Sequence, residues 1–136
     1  MIKPACMLTL LLFTGMAYAG DDFDARVARA TKVERSSPVG RDYLIQKFMP
    51  ETDEAFEKAY GDCSSQGQKG TTEKFTTVFD IDATGNIINV AVAEKEQSNY
   101  SRCYAERITK IKAPPPPESF AKKGFPAVIQ GTYQIR

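Results

Sequence analysis

The chain has 136 residues, 42% apolar, 26% charged and 10% aromatic, a size that suits one ordinary domain and disfavours a two-domain enzyme. Its 18 basic and 17 acidic residues leave a formal charge of +1, so the bulk basic excess that draws nucleic acid through counterion release is missing. There is no histidine, which removes Ser-His and Cys-His nucleophile pairs and His-ligated zinc in one step.

Residues 1–19 read as a secretory signal peptide. Lys3 supplies a positive start, Met7 to Phe13 an apolar run, and Ala17-Tyr18-Ala19 the small-x-small cleavage pattern. The run is well short of the roughly 20 residues that cross a bilayer, and Asp21, Asp22 and Asp24 follow at once, so no stable membrane anchor is expected. Cys6 precedes the apolar run, where a lipid-attachment cysteine would end it. Cleavage near Ala19 would leave a neutral, periplasmic chain whose only leucine is Leu44 beside seven valines and eight isoleucines, a bias that suits a pleated sheet.

Removing Cys6 leaves Cys63 and Cys103, and an even count in an exported chain points to a disulfide between them. Their wide spacing excludes a Cys-x-x-Cys redox pair. Closing a loop of about 40 residues gains on the order of 4 kcal/mol in the chain-entropy model.

Residues 20–50 form a poorly determined N-terminal segment. Arg26, Arg29, Lys32 and Arg35 recur every third residue above a thin stripe of Val27, Ala30 and Thr31, which reads as a solvated helical face or as a basic strip for an anionic envelope component or an acidic protein partner. Residues 36–40 break the pattern, and 42–49 fit a short strand or a helical turn equally well. After Pro50, Thr52 can cap a helix over 52–63 whose Ala55, Phe56, Ala59, Tyr60 and Cys63 share a stripe. Residues 64–70 read as a flexible loop.

Residues 74–81 alternate, with Phe75, Thr77, Phe79 and Ile81 on one side, and 87–93 place Ile88, Val90 and Val92 together; Asp82 to Asn86 between them makes a hairpin turn. Asp80-x-Asp82-x-Thr84-Gly85 imitates the start of a calcium loop, but Ala91 stands where the bidentate Glu belongs, so no metal is expected. Asp80, Asp82, Glu94 and Glu96 are the clustered carboxylates, and their alternation suits solvated strand rims better than catalysis, so the chain reads as no enzyme and needs no cofactor. Ser98 can cap a second helix over 99–111 with Tyr100, Cys103, Tyr104, Ile108 and Ile111 inward. Pro114 to Pro117 stops it and spaces it from a last strand in which Ala127, Ile129, Tyr133 and Ile135 alternate with polar residues.

The order strand, Gly turn, strand, helix, proline run and strand resembles the C-terminal domain family of TonB, the periplasmic energy-transducing protein, over residues 72–136. The carriers are Thr77 to Val92, then Ile108-Thr109-Lys110-Ile111-Lys112 running into Pro114-Pro115-Pro116, and Gly131-Thr132-Tyr133-Gln134-Ile135. The resemblance implies an α+β domain over 51–136 with a small antiparallel three-stranded sheet of hairpin, helix and terminal strand, packed by two helices. It also implies binding of another envelope or exported protein by β-augmentation, in which an edge strand offers free N–H and C=O groups to an extended segment. That role falls on Ala127, Val128, Ile129, Gln130, Thr132 and Gln134, and a proline at Ile129 would remove a donor. Two copies could also pair edge to edge. The chain departs from the family in its cleavable leader and in the segment ahead of the sheet, so it is not expected to transduce energy. The alternative is an inhibitor or immunity protein that blocks a toxin or hydrolase through the 64–72 loop or the Asp82 to Asn86 turn.

Overall fold

The computed structural model describes residues 20–136. The leader and Cys6 lie outside them, and no helix among the described residues is long and apolar enough to cross a membrane. Helix α1 spans Gly20–Ser36, and after Ser37 the chain turns into α2, Pro38–Tyr43. Ser37 has extended backbone and its hydroxyl accepts the Gly40 amide at 3.1 Å, an N-cap that fixes the corner. A π-helical turn, Leu44–Phe48, carries α2 directly into α3, Met49–Asp62. Strand β1 (Thr72–Ile81) and strand β2 (Ile87–Val92) form the hairpin, α4 is Asn99–Ile108, and β3 is Phe125–Gln134.

The 20–50 segment is therefore helical and not a separate unit, and the expected boundary at residue 50 falls inside a continuous helix. Thr52 is not a cap either: its buried hydroxyl donates to the Phe48 carbonyl one turn back. The wide turn explains the passage through Pro50. Met49 bonds the Leu44 carbonyl, five residues back, so the rod is already loosened where the proline ring and its missing N–H would break a regular turn. Ser98 does cap α4, in a reciprocal pair with Ser101, and the helix ends at Ile108, short of the expected 111, as Lys110 and Ile111 tighten onto the carbonyls of Arg107 and Ile108.

The sheet is antiparallel in the order β2-β1-β3, giving the small α+β architecture expected. The core lies on the face of Phe75, Phe79 and Ile81, under α3 and α4: Phe56 stacks on Phe79 at 6.1 Å and Tyr104 meets Phe75 edge-on at 5.2 Å. The Cys63–Cys103 disulfide joins α3 to α4 with Cα atoms 5.8 Å apart. Helix α1 lies on the opposite face, so the sheet is covered on both sides, where packing by two helices was expected. Arg26 and Arg29 each reach the Asp80 carboxylate at 3.7 Å, Asn89 donates to it at 3.1 Å, and Arg26 bonds the Asn89 carbonyl. The four basic side chains do not line one face, because steps of three turn a helix by about 300°; Lys32 and Arg35 wind out to solvent.

Asn89 has a positive φ of 54° at a bulge where the β1–β2 register slips by one residue between Val78 and Asp80. The slip reverses the alternation of β2, so Ile87 and Val92 are buried while Ile88, expected inward, is exposed. Gly85 in the hairpin turn has φ 92°, and a Cβ there would sit 2.0 Å from the Ala113 carbonyl oxygen, so only glycine lets the residues after α4 dock on the turn. Tyr43 then ties α2 to the proline run by donating to the Pro114 carbonyl at 2.7 Å.

Candidate functional site

β3 lies at one border of the sheet, and its ladder decides which of its amides are free. Its register with β1 is unbroken from Thr72↔Gln134 to Ile81↔Phe125. The Ile135 amide donates to Thr71 at 2.9 Å, whereas the Thr76 carbonyl accepts from Ala93 on the other side of β1. Residues of an antiparallel pair alternate between exchanging both bonds and pointing both away. Odd-numbered residues of β3 thus bond β1, and the N–H and C=O of Val128, Gln130, Thr132 and Gln134 face outward. Among the described residues, no backbone hydrogen bond joins these groups to any other segment.

Half of that border is the floor of a groove of about 670 Å³. Ala30, Glu34 and Arg35 of α1 form one wall; Arg41, Ile45, Met49, Asp53 and Glu57 of the α2–α3 rod form the other; Pro126 to Gln130 lie between. Ile45 and Met49 are 53% and 50% exposed, large apolar side chains turned to water at the rim. Beyond Gln130 the border is open, with Thr132 and Gln134 exposed.

Deep in the groove, Tyr60 stacks on Tyr104 at 4.4 Å and on Tyr133 at 5.5 Å. The Tyr60 hydroxyl lies against Gly131, where a Cβ would stand 2.0 Å from it, so β3 must be bare at that point. The Tyr104 hydroxyl is buried and has no hydrogen-bond partner of good geometry among the described residues. Burial, and then the neighbouring Tyr60 hydroxyl, push its pKa far above the ordinary phenol value, so it stays a neutral donor.

The structure thus divides the expected site residues. Val128, Gln130, Thr132 and Gln134 present free backbone groups, while Ala127 and Ile129 spend theirs on β1 and turn their side chains to the core face. A proline at Ile129 would therefore break the fold's own ladder. Arg35, Arg41, Ile45, Met49, Tyr60 and Tyr104 were not expected at the site; the exposed Ile45 and Met49 gave the one readable sign, two apolar residues out of phase with the buried stripe of the rod.

Other candidates are occupied internally. Asp80 holds α1 and Glu96 accepts the Thr76 amide at 2.9 Å, so these two carboxylates are structural, whereas Glu94 is exposed and Asp82 bonds its own turn at a solvent-facing rim. The 64–70 loop is anchored, with Gly70 donating to the Ile135 carbonyl at 3.0 Å. No group of three metal-ligating side chains occurs among the described residues. The β2 border has a cleft of about 940 Å³ beside it, but its strand is six residues long and bulged at Asn89, a poor template for pairing.

No family model matches the chain, and neither a curated protein nor a solved structure matches it.

Proposed function

We propose that the chain is an exported, periplasmic protein-binding module that takes an extended segment of another envelope protein as a fourth strand beside β3, with an accessory role in envelope transport or assembly. The observation that carries this reading is the row of outward amides and carbonyls from Val128 to Gln134, half of it set between the two helical walls of the groove. Main-chain bonds to those groups would supply affinity, and the walls would choose the side chains of alternate positions. The TonB-like order of elements over 72–136 agrees with it. Reading the protein as an inhibitor draws no support from its anchored loop or from Asp82, whose carboxylate is engaged by its own turn.

Gln130→Pro is the decisive variant. It removes an outward donor that the fold does not use, and an edge strand tolerates proline on its free side. Photo-crosslinking in cells from a residue introduced at Gln134 should capture an envelope protein with the parent chain and lose it with Gln130→Pro. Capture unchanged in a folded Gln130→Pro variant contradicts the docking mode. Capture of a second copy alone makes the border a dimer contact, and capture of a secreted hydrolase moves the assignment to inhibition.

A further inference from the structure

The groove is not symmetric along its length, and its asymmetry bears on what enters it. At one end the walls meet, because α1 and α2 are joined by Ser37 alone and Gly40 packs so close to Val33 that a Cβ would stand 2.7 Å from it. That corner sits at the start of β3, where the Tyr43 ring meets Phe125 at 4.8 Å. The floor stops there at Pro126, which has no N–H to offer a longer ladder. Arg35 and Arg41 flank this closed end, both exposed and neither in a salt bridge among the described residues; Glu34 is the one carboxylate with them. Towards the open end the wall carries Asp53 and Glu57, next to Tyr60, whose ring stacks on Tyr133 further along β3.

Resting on the augmentation reading, we infer that the groove recognises the free C-terminus of its partner, added antiparallel to β3 with the terminal carboxylate against Arg35 and Arg41. A chain that stops at the corner needs no route past it, whereas an internal segment would have to leave through the joined walls. The guanidinium groups offer the forked donors that a carboxylate accepts in pairs. The last residues of the tail are apolar, to lie against Ile45 and Met49, and a basic residue upstream faces Asp53 and Glu57. This direction makes both ends of the ligand opposite in charge to the groove beside them.

The test uses the folded chain and random seven-residue tails displayed with a free C-terminus, in parallel with the same library displayed internally. Enriched tails are synthesised as free acids and as amides and titrated calorimetrically. The inference expects enrichment in the C-terminal format, free acids binding about tenfold or more tightly than amides, and loss of that advantage in the Arg35→Gln, Arg41→Gln double variant. Acid and amide binding equally, both lost in Gln130→Pro, would overturn the terminal recognition and leave augmentation standing. Binding that survives Gln130→Pro, or no enrichment in either format, would overturn both.

Discussion

Asp82 is where one side chain organises a whole turn. Its carboxylate accepts from the amides of Thr84 and Asn86, from the Thr84 hydroxyl and from the Asn86 side chain, at 2.8 to 3.0 Å. Those bonds, the Asn86 amide first, then the Asn86 side chain and Thr84, hold its pKa down at about 2. The folded pKa lies below the unfolded value of about 4, so the ionised form favours folding above that pH, and the gain is lost as pH falls towards 2. Urea midpoints measured between these pH values should fall more steeply for the parent than for Asp82→Asn; parallel slopes would deny the turn this role. A sequence can show that Asp82, Thr84, Gly85 and Asn86 make a turn, because each residue type has a local reason to be there. It cannot show that the Tyr104 hydroxyl lacks a partner, which depends on elements far apart in the chain.

Local signals read the hairpin, the last strand, the capped α4 and the disulfide well, since alternation, capping and cysteine parity each have a short-range physical cause. They failed where two surfaces had to be known together. The thin apolar stripe of α1 was read with a solvated or basic face, yet Ala30 is buried and Arg26 and Arg29 add a polar latch on Asp80. The bulge at Asn89 likewise reversed β2 without any glycine to announce it. The latch makes α1 sensitive to one substitution. Asp80→Asn leaves the Arg26 guanidinium, mostly buried, without its charge partner, and should cost about 1–3 kcal/mol. Amide hydrogen exchange should rise selectively across α1; an even rise over the sheet would mean that the latch belongs to the global core instead.

For the whole molecule, the disulfide closes the loop that runs from the end of α3 through the hairpin into α4, with Cys63 fully buried. Replacing Cys63 and Cys103 together by Ser should lower the unfolding free energy in urea by about 4 kcal/mol. A loss under about 1 kcal/mol would show that helix packing alone fixes α3 to α4. The site was legible only in part for the same reason: β3 announced itself, but its walls come from the N-terminal segment whose placement needs the complete fold. Pro126, finally, has a meaning beyond the groove. A long bare border invites stacking of identical chains into fibrils, and here it is shortened at one end by a residue with nothing to donate and by the helical corner beside it. A second copy is therefore left only the template beyond Pro126, a shorter margin for the molecule to guard.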